Sequence, residues 1–286
     1  MTFTIDSPSP AVLFPGQGSQ TPDMRDLVAA TPRLLERCIE LVGEDPFPRV
    51  DESTRFAQPA IFCAGMAAWS RLDVRPHATA GHSLGELAAL AAAGAIELDD
   101  ALRLVVIRGR LMAEADDSGS MLALVGGEPA DAQRIADEAG VTVANDNAPG
   151  QVVLSGERSA LVRAEDVARE RGLRALPLDV AGAFHSTAMD PAVAPFRAAL
   201  DEVELHEPVC TVFSCASARP FADVREELAQ ALIRPVRWRE TVLALGEAGA
   251  GSYVDAGPGK VLARLMKRIA PGLKAQSPDF GEPANV

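Results

Sequence analysis

Gly81-His82-Ser83-Leu84-Gly85 sets a serine between two glycines. A G-x-S-x-G run suits a sharp strand-to-helix turn that pushes the serine outward, with glycines leaving room for the strained backbone. At a helix start, free backbone N–H groups and the helix dipole favour a developing oxyanion. The chemistry served is acyl transfer through an acyl-serine. A serine nucleophile needs a base, and the chain has four histidines: His77, His82, His185 and His206. His82 adjoins Ser83, so the two side chains diverge. His77 starts the preceding strand, at the end away from the turn. His206 lies in the acidic stretch 201–207. That leaves His185, in Gly182-Ala183-Phe184-His185-Ser186, as the base. The plainer readings are a serine helix cap and a structural histidine.

A second charged group stands out on the helix expected over 99–115. By helical phase, Arg108 falls with Leu104, Val105, Leu111 and Met112, on or near the apolar side. A buried guanidinium without a partner is costly, so Arg108 should meet a carboxylate. Arg103 and Arg110 fit the solvent face. Met112 fits either the same site or plain core packing.

The elements that must position these residues alternate in type. Residues 11–14 read as a short buried strand ended by Pro15-Gly16-Gln17-Gly18. Helical spacing follows over 26–42 and 57–71, a second short strand over 77–80, then helices over 86–93 and 99–115. This order predicts an α/β protein with a mainly parallel sheet. From Gly119 the texture changes: strand 121–125, helix 129–138, strands 141–144 and 151–155 around a turn at 145–150, helix 158–171 and strand 173–180. That βαββαβ order is ferredoxin-like. The expected division is a large hydrolase-like domain, 1–118 and 184–286, with a small inserted subdomain, 119–183. Residues 1–10 and 276–286 read as loose ends.

The 286 residues carry a net charge of −13, with 48% hydrophobic and 23% charged residues. This is a globular composition, and the acidic balance argues against nucleic-acid binding, which needs clustered cations. The longest apolar run, 87–96, is too short for a bilayer that needs about 20 residues. No basic-then-apolar leader is present, so a cytoplasmic protein without a membrane role is expected. Cys38, Cys63, Cys210 and Cys215 suit free core thiols in a reducing compartment; Cys210, Cys215 and His206 fit no zinc spacing, and no metal is expected. Basic residues gather late in the chain, at Arg234, Arg237, Arg239, Lys260, Arg264, Lys267 and Arg268. Part of this set is expected at the mouth of the site.

Six motifs occur in order: Leu13-Phe14-Pro15-Gly16-Gln17-Gly18-Ser19-Gln20, Gly81-His82-Ser83-Leu84-Gly85-Glu86, Arg108-Gly109-Arg110-Leu111-Met112, Ala183-Phe184-His185-Ser186, Pro235-Val236-Arg237-Trp238 and Gly257-Pro258-Gly259-Lys260-Val261-Leu262. Together they resemble the malonyl-CoA:acyl-carrier-protein transacylase family, which includes the acyltransferase domains of polyketide synthases. Phe56-Ala57-Gln58-Pro59-Ala60 and Asn147-Ala148-Pro149-Gly150-Gln151-Val152-Val153 resemble further family segments. The resemblance runs from about residue 11 to about 270.

The resemblance implies a Ser83–His185 dyad whose histidine is oriented by a backbone carbonyl before Pro235, where Ala231 replaces a glutamine frequent in the family. It implies an oxyanion hole from the N–H groups of Gln17 and Leu84, and a clamp by Arg108 on the malonyl carboxylate, which a planar guanidinium can hold bidentately. Met112, Phe184, His82, Gln58, Asn147 and Gln151 are implied as substrate-binding residues. Phe184 would restrict bulk at the malonyl α-carbon, in a segment where Gly182 replaces a frequent histidine. The implied reaction is ping-pong, from malonyl-CoA to the phosphopantetheine thiol of an acyl carrier protein, by a monomer with no cofactor. The alternatives are a polyketide synthase acyltransferase, the malonyltransferase component of malonate decarboxylase, a thioesterase, and a silent carrier-docking subunit.

Overall fold

Pro10–Phe14, Ala78–Gly81 and Ser252–Asp255 are buried at every position, as strands covered on both faces must be. A computed structural model of the chain describes residues 2–5, 10–116, 118–180 and 182–278. The three strands lie together in a six-stranded sheet. Its order is Arg219–Pro220, Thr211–Ser214, Ala78–Gly81, Pro10–Phe14, Ser252–Asp255, Lys274–Gln276. All neighbours are parallel except Arg219–Pro220, which turns back antiparallel on Thr211–Ser214.

Alternation along Pro10–Phe14 feeds two cores. Val12 and Phe14 pack with Thr54–Trp69, Gly85–Ala92 and Leu98–Ala115. Ala11 and Leu13 pack on the other face with Trp238, Val242, Leu262 and Tyr253. Helices thus cover both sheet faces, and the parallel strands end in a row of loops at one edge. That edge is where open α/β sheets place their ligands.

Residues 119–178 build a separate four-stranded antiparallel sheet, in the order Thr142–Ala148, Gln151–Glu157, Gly119–Val125, Arg174–Leu178. Leu122, Leu124, Val152 and Leu154 point to the helices Pro129–Ala139 and Arg158–Glu170. Met121 and Val153 face the opposite way, into the main core with Phe184.

Several local expectations need correction. The helical stretch 26–42 is two helices, Met24–Ala29 and Pro32–Val42, because Pro32 cannot donate to a continuing helix. The turn expected over 145–150 shrinks to Pro149-Gly150. The strand Thr142–Ala148 runs through the polar residues with two register shifts, and Asn145 also bridges to Val236. Tertiary pairing has overridden the turn preference of Asn and Asp. In the N-terminal stretch, Phe3–Thr4 pairs with Leu72–Asp73. Near the C-terminus, Lys274–Gln276 pairs with Ser252–Val254. Of those two loose ends, residues 1, 6–9 and 279–286 lie outside the described residues. Among the described residues, no helix is long and apolar enough to cross a membrane.

The turn at Gly81–Gly85 is closed by contact. A Cβ on Gly85 would overlap the Phe14 carbonyl oxygen, and one on Gly81 would overlap the Gly85 backbone. Gly85→Ala should therefore destabilise by about 3 kcal/mol or more, seen as a lower urea midpoint. Gly172→Ala, at φ 73° with no neighbour within 4 Å, should cost only about 1–2 kcal/mol.

Candidate active site

Four loops meet at the ends of the parallel strands. Ser83 follows Ala78–Gly81, Gly16 and Gln17 follow Pro10–Phe14, Cys215 follows Thr211–Ser214, and Gly257 follows Ser252–Asp255. Ser83 has φ 54° and His185 has φ 58°. These are two of three non-glycine residues with positive φ among those described. Such backbones cost of order 1–3 kcal/mol and persist where packing enforces them.

Ser83 Oγ lies 2.8 Å from His185 Nε2. His185 Nδ1 lies 2.9 Å from the Ala231 carbonyl oxygen and 3.1 Å from that of Arg234. Both carbonyls only accept, so Nδ1 carries the proton and bare Nε2 accepts from the serine hydroxyl. Ala231 caps the C-terminal end of Val224–Gln230. The negative end of that helix favours a positive charge on the imidazole. A carbonyl acceptor does not depend on side-chain identity, so alanine at 231 leaves this contact intact. Burial, followed by the Arg108 charge, pushes the His185 imidazole down to about 3.

Arg108 is buried on the apolar side of Leu98–Ala115, whereas Arg103 and Arg110 are exposed. Its Nη1 donates to Gln58 Oε1 at 2.7 Å, and its Nη2 donates to Ser83 Oγ at 3.1 Å. Among the described residues, no carboxylate lies within ion-pairing distance of it. Burial lowers its guanidinium to about 10, against the opposing charge of Glu86. At neutral pH it is a full positive charge beside the Ser83 hydroxyl.

Gln58 is fully buried, so it supports Arg108 from behind instead of lining the cleft. Gln58 Nε2 donates to Thr54 Oγ1 at 2.7 Å, and Thr54 Oγ1 donates to Gln17 Oε1 at 2.5 Å. This chain ties the arginine to the loop carrying Gln17. The Gly16–Gln17 loop packs on the serine turn so closely that a Cβ on Gly16 would sit 2.5 Å from the His82 carbonyl oxygen. The Gln17 and Leu84 N–H groups, the two amides expected to face an oxyanion, make no hydrogen bond to described residues.

A cleft of about 450 Å³ opens over Ser83 between the two sheets. Gln17, Met112 and Phe184 line it from one side, Asn147 and Gln151 from the other. His82 Nε2 donates to Asn147 Oδ1 at 2.8 Å, and burial keeps that imidazole below its usual range. Gln151 Oε1 accepts from Arg268 Nη1 at 2.6 Å. Gly182 has φ 139°, and a Cβ there would meet Phe184 Cε1 at 2.7 Å, so glycine leaves Phe184 room to lie against the cleft. His77 and His206 are exposed, and His77 Nε2 binds the Ala248 carbonyl.

The late basic residues divide. Arg237 is held by Glu240, and Arg239 by Asp146 at 2.7 Å. Lys260, Arg264, Lys267 and Arg268 are exposed around Val261–Ile269, whose Val261, Leu262 and Leu265 line the cleft. All four cysteines are free, three of them buried. Among the described residues, no group of three His, Cys, Asp or Glu side chains is placed to hold a metal.

Sequence reasoning missed Thr54, although its place four residues before Gln58 put both on one helix face. It also gave Glu86 no role. That residue is 1% exposed, and its Oε1 accepts the Cys215 N–H at 2.7 Å.

The acyl transferase domain family matches residues 12–276. A malonyl CoA-acyl carrier protein transacylase of Bacillus subtilis is 36% identical over 289 residues, covering 92% of this chain and 91% of that protein. An acyl-carrier-protein S-malonyltransferase structure from Burkholderia pseudomallei superposes with TM-score 0.88 at 35% identity, covering 94% of this chain and 95% of the other. A malonyl-transacylase in complex with its type II polyketide synthase acyl-carrier protein superposes with TM-score 0.88 at 34% identity, covering 95% and 96%.

Because His185 sits at about 3 when folded and near 6.5 when unfolded, only the unfolded chain takes its proton between those values. Stability present above pH 6.5 is therefore lost as pH falls through that window, by up to about 1.4 kcal/mol per pH unit from this group. NMR of the imidazole should find His185 neutral at pH 5, with Nδ1 protonated. Wild type should lose stability relative to His185→Gln as pH falls from 6.5 to 4; parallel curves would contradict the burial of a neutral ring.

Proposed function

The chain belongs to the acyl transferase domain family, and from that premise we propose that it carries malonyl groups from malonyl-CoA to the phosphopantetheine thiol of an acyl carrier protein. One observation carries the choice of acyl group. A buried guanidinium, with no carboxylate within ion-pairing distance among the described residues, touches the Ser83 hydroxyl oxygen itself. A free carboxylate on the acyl group would complete its pairing, and two parallel hydrogen bonds would fix the acyl pose.

In this reading His185 takes the Ser83 proton as Ser83 Oγ attacks the thioester carbonyl. The Gln17 and Leu84 amides hold the oxyanion. His185 then returns the proton to the coenzyme A thiolate, leaving a malonyl-serine ester. The carrier thiol gives its proton to His185 and attacks that ester, and Ser83 is restored. Asn147 and Gln151 border the entrance, Met112 and Phe184 bound the acyl group, and Gln58 and His82 hold their neighbours in place. No electron transfer occurs, so the reaction needs no cofactor.

Residues 1–118 and 184–286 serve as a hydrolase-like catalytic domain, and 119–183 as a ferredoxin-like subdomain roofing the cleft. The exposed cations around Val261–Ile269 offer an acidic carrier a local landing place. We place the enzyme in the cytoplasm as a monomer.

Ser83→Ala should abolish the acyl-enzyme seen by mass spectrometry after brief exposure to malonyl-CoA. His185→Ala should slow transfer by about 10²–10⁴-fold. Malonyl-CoA loss that is fast and indifferent to carrier protein would instead mark a thioesterase. Arg108→Ala should lose the preference for malonyl-CoA and gain activity with acetyl-CoA. Equal losses with both substrates would refute the clamp.

A further inference from the structure

The reaction above leaves the buried Glu86 carboxyl unused. Glu86 directly follows Gly85 at the serine turn and is 1% exposed. Its Oε1 accepts the Cys215 N–H at 2.7 Å, and among the described residues no cation lies within ion-pairing distance. Arg108, from Leu98–Ala115, is the positive charge that acts on it. The strands Pro10–Phe14 and Ala78–Gly81 beneath its helix carry no titratable side chain. Beyond Thr211–Ser214, Cys215 has its thiol held well up by burial. On Thr54–Trp69, Cys63 is buried against Cys38 and Arg55 is exposed. His185 and His82 are both held below the usual imidazole range. Arg108 and Glu86 are thus the two groups here whose charges can oppose each other.

We propose that Glu86 is a specificity-determining residue which, by gaining or losing a proton, sets how strongly Arg108 holds the malonyl carboxylate. The inference rests on the transfer reading above. Its argument is charge balance in a water-poor space. One guanidinium balances one carboxylate. With Glu86 ionised, an arriving malonyl carboxylate leaves two negative charges against one positive, and burial makes the surplus costly. With Glu86 protonated, the incoming carboxylate neutralises Arg108. Malonyl binding therefore draws a proton onto Glu86, and acetyl, lacking the carboxylate, does not. Burial has already raised the Glu86 carboxyl to about 7 in the free protein, so the exchange falls in the working pH range.

Calorimetry on Ser83→Ala separates binding from reaction. Malonyl-CoA affinity should weaken by up to about tenfold from pH 6 to pH 8. At pH 8, titrations in buffers of different ionisation enthalpy should show close to one proton taken up per malonyl-CoA bound. Acetyl-CoA should show neither effect, which also subtracts titration of the coenzyme A phosphates and of Asp255, raised to about 7 by its own burial. Adding Glu86→Gln should flatten the malonyl-CoA profile. The same slope with and without Glu86→Gln, or no proton uptake at pH 8, overturns the proposal. If Glu86→Gln does not fold, the proton count on Ser83→Ala alone decides. Arg108→Ala separates the two levels. Unchanged malonyl-CoA affinity there overturns the transfer reading and this inference together, whereas lost affinity with an unaltered Glu86 slope overturns this inference alone.

Discussion

A guanidinium buried beside a serine hydroxyl, with no carboxylate among the described residues to pair it, is the constraint on which the rest of the site depends. Arg108 stays charged because Gln58 and Ser83 accept its hydrogen bonds and Glu86 lends a more distant negative charge. That charge reaches His185, Glu86 and Cys215. It adds to burial in keeping His185 neutral, and it opposes burial at Glu86. An aspartate behind His185, as in hydrolase triads, would bring a second buried charge close to Arg108. The two carbonyls of Ala231 and Arg234 orient the ring without that charge.

The fold supplies this arrangement through close backbone approach. The Pro10–Phe14 and Ala78–Gly81 strands are neighbours in register, so their following loops meet. Gly16 lies against the His82 carbonyl, and Gly85 lies against that of Phe14. The Gln17 amide is brought to the serine turn by main-chain packing, with Thr54 anchoring its side chain. The antiparallel sheet completes the cleft from the other side. Asp116 ties the two chain crossings together, accepting from the Gly119 and Ala183 amides at 3.1 and 2.8 Å. His185 follows two residues after that tie, so both sheets help to aim its imidazole at Ser83.

The net charge of −13 is compatible with anionic substrates because its distribution is uneven. Arg237 and Arg239 are spent on Glu240 and Asp146. Lys260, Arg264 and Lys267 remain exposed near the cleft and appear in no ion pair among the described residues. A local field of that kind acts within roughly a Debye length of about 8–10 Å, while the acidic excess governs the protein at longer range.

Most element types between residues 11 and 180, and the candidate serine, histidine and arginine, were legible in the chain, since local spacing, elimination and helical phase are properties of sequence; the elements beyond residue 186 were not read from it. The G-x-S-x-G run carried its own steric reason, and the phase of Arg108 against Leu104, Val105 and Met112 already put it indoors. The buried strand at Pro10–Phe14 also declared itself by a continuous apolar run. Other features depended on residues far apart in sequence. Thr142–Ala148 kept its strand through Asn and Asp because Gln151–Glu157 and Val236 paired with it. Gln58 proved to be a support because helix packing set it against Arg108. Glu86 gained its character from burial beside Cys215, 129 residues away. Local periodicity sets which face a side chain takes; only the assembled core decides its neighbours and its exposure to water, and therefore its charge.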